Sequence, residues 1–297
     1  MLEEFINYYG KAKKMQELKF EGKTWNESDV NDNLVWNIPI YDVVNRKYAA
    51  FSSLLEAVVQ KENDPKGNGK HFKHLDIPFT EFVSLCYLFR LCGSGINYKP
   101  KQGLPFGSHG FGNFWIVDLL TKGITDRNKW IDNIPDKGFC DVKGYLLPMI
   151  PKGLKNFILE DSFNLVDDII NEVQQGGYSI TDVVDLGNHW LKSRGFKRQN
   201  FVLTAFAMDM AEYFPNMVDR NSDVYVGSNA KKCLKLIMPG VKDNDALRHL
   251  CELTNHHSKL YDMEDVACDF IRYIENFQSV DHIKLNKGIK YTNNVLK

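Results

Sequence analysis

Residues 191–227, LKSRGFKRQNFVLTAFAMDMAEYFPNMVDRNSDVYVG, set the reading of the whole chain. The stretch opens on a basic turn in which Lys192, Arg194, Lys197 and Arg198 flank the single Gly195. An apolar run with helical character follows through Phe201, Val202, Ala205, Phe206 and Met208, and Phe214-Pro215 ends it. Met217-Val218-Asp219 then places an acid directly after two apolar residues, with Val224 and Tyr225 behind it. A glycine turn between helices offers backbone N–H groups to a phosphate, and lysines and arginines add a salt-sensitive attraction. The acid is expected one helix away from that anchor, an arrangement suited to gripping DNA backbone and working on one base.

Composition bounds the alternatives. The chain has 297 residues, 43% of them hydrophobic, enough for one large or two modest domains with a real core. A formal net charge of -1 means that any nucleic-acid site must be a local basic patch. Cys86, Cys92, Cys140, Cys233, Cys251 and Cys268 form no C-x-x-C pair, which predicts reduced thiols and argues against a zinc ribbon or an iron–sulfur loop. No signal-peptide pattern and no apolar run of about 18–20 residues is present, so the expectation is a cytoplasmic protein with no membrane partner.

Upstream, Met1 to Lys19 reads as an amphipathic helix. Residues 34–40 read as a strand or extended arm, and Tyr48 to Lys61 has helical spacing. The turn-rich run 63–69 is a loop, and it suggests an N-terminal helical extension over 1–69 and a helical catalytic domain over 70–297. From Pro78, FTEFVSLCYLFRLC is too continuously apolar for a surface helix. Only Arg90 interrupts its second half, and Gly93-Ser94-Gly95 ends it. Glycine after a helix is an ordinary C-terminal signal, and without a preceding strand or a third glycine it is no dinucleotide fingerprint. Asn97, Tyr98, Lys99 and Lys101 come next, then Ser108-His109-Gly110-Phe111-Gly112-Asn113. Two glycine clusters, an arginine, a histidine and an asparagine around one loop suit a pocket for phosphate oxygens and a planar base.

The 191–227 stretch resembles the helix-hairpin-helix DNA glycosylases, whose pattern is matched by Leu191, Gly195, Lys197, Ala205, Val218, Asp219 and, two positions late, Val224. It departs from them in having one glycine of the usual two and Arg194 before it. FRLCGSGINY (89–98), HGFGN (109–113), residues 201–234 and MEDVACDFIRY (263–273) resemble a second group. These are the phage alpha-glutamyl/putrescinyl thymine pyrophosphorylases, or amino acid:DNA transferases. That resemblance runs over most of residues 75 to 275. It implies a mainly helical, glycosylase-like fold and DNA thymine hypermodification. In that chemistry an amine, from an amino acid or a polyamine, displaces pyrophosphate from 5-pyrophosphoryloxymethyluracil in double-stranded DNA.

The implied chemistry sets four requirements. The base must leave the duplex and stack in a pocket, for which Tyr98, Phe111, Phe114 and Trp115 are available. Pyrophosphate must depart with its charge neutralised, by Arg90, the Gly93–Gly95 turn, Lys99 or Mg²⁺. A base must take the proton of the amine, and Asp219 or His109, with Asn113 beside it, are the candidates. The carboxylate of an amino acid needs a cation, and no single lysine or arginine stands out.

Other constellations are weaker. Asp219, Asn221 and Asp223 imitate a calcium loop, but Val224 and Ala230 replace its glycine and glutamate. His256 and His257 would diverge on a helix, and Cys92 is expected to pack. Glu264, Asp265 and Asp269 read as a solvated helix face before a Mg²⁺ site. Leu236 to Val241 resembles a second hairpin turn. The expected fold is therefore mainly α, with a helix-hairpin-helix glycosylase-like domain. The leading function is amine transfer to modified thymine in DNA, with a base-releasing glycosylase or a non-catalytic DNA-binding accessory protein as alternatives.

Overall fold

A computed structural model describes residues 1–20, 44–45, 77–92, 115–135, 153–256 and 259–278. Among the described residues the regular elements are α-helices, and the one sheet-like feature is a parallel bridge between Tyr178 and Val218. The helices are α1 (Leu2–Phe20), α2 (Phe79–Cys92), α3 (Ile116–Thr121), α4 (Arg127–Asp132), α5 (Leu154–Glu160) and α6 (Ser162–Val173). They continue with α7 (Ile180–Ser193), α8 (Asn200–Tyr213), α9 (Ser228–Ile237), α10 (Asp243–Leu253) and α11 (Leu260–Gln278). The chain divides into two compact units. Of the described residues, 1–20, 44–45 and those from Val226 onward form one, and 77–92, 115–135 and 153–225 form the other.

The second unit is built around α2 and α8, whose sequences are apolar on all sides. From Val83 to Phe89 every residue of α2 is buried, and so is every residue of α8 from Val202 to Ala211. Helices of that kind belong inside a bundle, since each buried Leu, Val or Phe contributes about 1.5–3 kcal/mol. The amphipathic helices cover them. In α6 the buried apolar residues are Leu165, Val166, Ile169, Ile170 and Val173; in α7 they are Ile180, Val183, Val184, Trp190 and Leu191, with Gly187 among them. Both sets follow the three- and four-residue spacing of one helical face.

A six-residue turn joins α7 to α8, and Gly187 sets how closely the pair approach. A Cβ built on Gly187 would lie 2.6 Å from Leu203 Cδ2 and 2.8 Å from its Cδ1. Leu203 is fully buried, so a methyl here would press on a packed side chain. The glycine is therefore kept against helix propensity, for contact.

The first unit pairs the N-terminal helix with the C-terminal ones. Phe5 and Tyr8 of α1 place their rings 5.2 and 5.3 Å from Phe270 of α11. The N-terminal helix read from the sequence is present, but it shares a core with α11. The extension boundary expected near residue 69, the strand or arm at 34–40 and the helix at 48–61 lie outside the described residues.

Gly187→Ala should destabilise the protein by about 1–3 kcal/mol despite the better helix propensity of alanine. Leu203→Ala alone should cost about 2–5 kcal/mol. The double variant should cost clearly less than the sum, because the new methyl fills part of the new cavity. Chemical denaturation of the four proteins measures this, and strict additivity would mean that the two sites are not in contact.

Candidate functional site

The basic turn folds as a pinned hairpin between α7 and α8. Gly195 has φ +79°, and its N–H donates to Lys192 O at 3.1 Å while Phe196 N–H donates to Leu191 O at 2.9 Å. These two bonds close the α7 C-terminus in the glycine-capped manner that satisfies the last carbonyls of a helix. They also correct the expectation that Gly195 offers its amide to a phosphate, because that N–H is already used. Phe196 is buried, its ring edge-on to Phe157 at 5.1 Å. On the other side Gln199, fully buried, donates its backbone N–H to Asn188 Oδ1 and accepts from the Tyr87 hydroxyl at 3.0 Å. Asn188 Nδ2 continues the chain to Asn200 Oδ1 at 2.7 Å.

Between these two pins Lys197 and Arg198 stand exposed, as do Lys192, Arg194 and Gly195. The five residues expected to meet DNA thus form one exposed basic tip. Arg194 is the structured one of the set. Its guanidinium lies 3.8 Å above the Trp190 ring and 3.9 Å from Asp168 Oδ2, and the Trp190 indole N–H donates to that same oxygen at 2.6 Å.

Asp219 lies at the other end of the α7–α8 pair. With 14 residues in each helix, the hairpin and the acid are about 20 Å apart. The loop carrying the acid is tied to the entry of α7. Tyr178 N–H donates to Met217 O at 3.2 Å, and Asp219 N–H donates to Tyr178 O at 2.8 Å. Ser222 Oγ donates to Asp219 O at 2.7 Å and accepts from Ile180 N–H at 2.9 Å. Val218 and Val224 are buried on either side, so the residues between them are held out as a short loop. Within it Asp219 is exposed and its Oδ1 accepts from Asn221 N–H at 2.9 Å. The calcium-like spacing of Asp219, Asn221 and Asp223 is thus a side-chain-closed turn.

Two glycines make this junction possible. Gly176 and Gly177 both have φ +82°, and a Cβ on Gly176 would lie 2.7 Å from the Asn216 carbonyl oxygen. The start of α7 is itself closed by Ser179 and Asp182, each side chain bonding the backbone N–H of the other. The Ser179 hydroxyl, and then its backbone N–H, hold the Asp182 carboxyl below its ordinary value.

Arg90 departs from expectation. Its Nε donates to Asp209 Oδ2 at 2.7 Å and one Nη to Oδ1 at 2.8 Å, with the two side chains 11% and 1% exposed. The planar fork expected to meet pyrophosphate is spent on a buried carboxylate of α8. Gly93, Ser94, Gly95, Asn97, Tyr98, Lys99, His109 and Asn113 lie outside the described residues, as do Phe111 and Phe114. Trp115, the remaining aromatic considered for stacking, donates its indole N–H to Trp130 O.

In the other unit, two of the three acids of α11 expected on a solvated face are buried, and Asp265 is half-buried. Glu264 is 7% exposed and its Oε1 accepts from Gly227 N–H at the start of α9, while Asp269, 5% exposed, pairs with Arg272 at 2.6 Å. Among the described residues no group of three or more His, Cys, Asp or Glu gathers as metal ligands. His256 is bonded through Nδ1 to the Tyr9 hydroxyl at 2.8 Å, with Asp262 Oδ2 at 3.5 Å from its Nε2. Burial pushes the Tyr9 hydroxyl up to about 12. The second glycine turn exists: Gly240 has φ +84°, and Val241 N–H closes on Met238 O at 3.3 Å. No helix among the described residues is long and apolar enough to cross a membrane.

Sequence reasoning missed Trp190, Asp168, Asn188, Gln199 and Ser222. The four-residue spacing from Trp190 to Arg194 was a legible signal. The others come from elements distant in sequence. Comparison of the chain with protein-family models, with curated proteins and with solved structures finds no match.

Because folding lowers the Asp182 pKa, its contribution to stability is present above the unfolded carboxylate value near 3.9 and is lost as pH falls through the folded value. Ser179→Ala should cost about 1 kcal/mol at neutral pH. Asp182→Asn should show a smaller loss of stability than wild type on acidification from pH 6 to pH 3. Thermal melts across that range read the difference, and parallel curves would remove Asp182 from the acid response.

Proposed function

We propose that the protein is a DNA base-modifying transferase that joins an amine to 5-pyrophosphoryloxymethyluracil and releases pyrophosphate. The single observation that carries this reading is the α7–hairpin–α8 arrangement, with a rigid basic tip at one end and an exposed acid on a braced loop at the other. Its finer fold assignment, a helix-hairpin-helix glycosylase-like domain, rests on the same arrangement and on the sequence resemblance.

Each part has a physical task in this scheme. Lys192, Arg194, Lys197 and Arg198 attract phosphates and release condensed counterions, which gives affinity without sequence preference. The separation of about 20 Å corresponds to about six steps of 3.4 Å along one strand, so grip and chemistry fall on different nucleotides. Asp219 takes a proton from the incoming ammonium, making the amine nucleophilic, or orients the flipped base. The amine nitrogen then forms a bond to the methylene carbon, and the bond from that carbon to the pyrophosphate oxygen breaks with its electron pair. Mg²⁺ would supply charge neutralisation on the pyrophosphate. No described residue is assigned to hold it, and the amine remains an amino acid or polyamine.

A glycosylase would use the same acid to stabilise positive charge on the sugar. The two readings separate in one assay, alkaline cleavage for abasic sites beside nucleoside mass spectrometry for the adduct. The expected result is an adduct, no abasic sites, and a loss of about 10²–10⁴-fold in transfer rate for Asp219→Asn. Strand breaks that depend on Asp219, with no adduct, would overturn the transferase reading. Replacing Lys192, Arg194, Lys197 and Arg198 together by alanine should weaken DNA binding and flatten its salt dependence by up to about 0.9 per lost contact. Unchanged affinity and slope would remove the hairpin as the grip.

A further inference from the structure

We infer that Trp190 and Asp168 are positioning residues that present Arg194 to a DNA phosphate, so that the hairpin grips by a pre-oriented guanidinium and not by its glycine amide. The inference rests on the reading of this tip as the DNA grip. Trp190 and Arg194 are four residues apart around the end of α7, a spacing that stacks one side chain above the other. The guanidinium carbon sits 3.8 Å from the centre of the indole ring, which is close enough for the plane of Arg194 to lie on the ring face. The ring cannot turn away: it is 7% exposed, and its N–H is fixed to Asp168 Oδ2 of α6 at 2.6 Å. The same carboxylate stands 3.9 Å from one Nη of Arg194 and steers that edge of the fork. The arginine nevertheless remains 43% exposed, and Lys197 and Arg198 of the same turn are exposed too.

A free arginine loses rotamer entropy when it closes on a phosphate, and one already laid on a rigid ring loses less. The planar fork also matches two phosphate oxygens at once, which a lysine cannot do. The amide of Gly195 offers no alternative, because Lys192 O holds it. The ligand class is a phosphodiester, and the contact carries no base preference.

The test is fluorescence anisotropy of a labelled unmodified duplex with the full-length protein, titrated at several NaCl concentrations. Arg194→Ala should lower the salt slope by about 0.9, the signature of one lost phosphate contact. Trp190→Leu should keep that slope, since the charge remains, and weaken binding about three- to tenfold through the entropy of a loosened side chain. Trp190→Phe, which retains a ring, should bind more like wild type. Arg194→Lys should keep the slope and lose affinity. A Trp190→Leu protein that binds as tightly as wild type, while Arg194→Ala does not, overturns the positioning role and leaves the DNA grip standing. An unchanged slope in Arg194→Ala overturns the inference outright, and the four-residue alanine variant then decides whether the grip itself survives. If Trp190→Leu fails to fold, Arg194→Lys decides alone, and wild-type affinity there shows that the guanidinium plane is not used.

Discussion

Two helices that are apolar on every side have little to fix how they slide past each other, and in this protein the Arg90–Asp209 pair supplies that constraint. Arg90 of α2 meets both carboxylate oxygens of the buried Asp209 on α8. Slipping either helix by one residue would bury an unpaired charge, at a cost of several kcal/mol. The pair is weak evidence for net stability, because desolvating two ions offsets most of their attraction. Its contribution is to register, and the two amphipathic helices follow from it, α6 packing on α2 and α7 on α8.

Once α8 is fixed, the hairpin and the acid loop are fixed with it. Tyr87 of α2 reaches Gln199, Gln199 reaches Asn188 of α7, and Asn188 reaches Asn200, so one buried polar chain binds the hairpin to both neighbours. At the opposite end the Tyr178–Val218 bridge and Ser222 tie the Asp219 loop to the start of α7. The exposed groups at both ends therefore stand on a backbone tied to its neighbours by these bonds. A binding site built this way gives up little order on meeting its ligand, since its support is already in place. Four basic residues gather on the hairpin with Asp168 as the acid beside Arg194, while Asp219 stands a helix length away. Attraction for a phosphate chain is thus concentrated at one end.

The sequence alone determined the helical class and several individual elements. Near-continuous apolarity from Phe82 to Cys92, interrupted by Ser84 and Arg90, marked an internal helix, and the run ended by Phe214-Pro215 marked another, because burial on all sides leaves no polar stripe. The glycine among basic residues marked a turn, and Val218 before Asp219 marked an anchored acid. Arg90 was read as a ligand for phosphate because its planar fork precedes a loop with two glycine clusters. What it answers is Asp209, 119 positions on, and no local pattern links the two.

Only the tertiary structure decided which polar groups were already spoken for. Glu264 of α11 looked solvated until Gly227, 37 positions earlier, met its carboxylate, whereas the amide of Gly195 and the Asp269–Arg272 pair are local contacts three residues long. Asp168 became part of the hairpin only through packing of α6 on α7, which gives the Trp190 indole its acceptor. Hydrophobic periodicity is local and survives in the sequence. Hydrogen-bond and ion-pair partners are chosen by contacts between distant segments, and those exist only once the helices have packed.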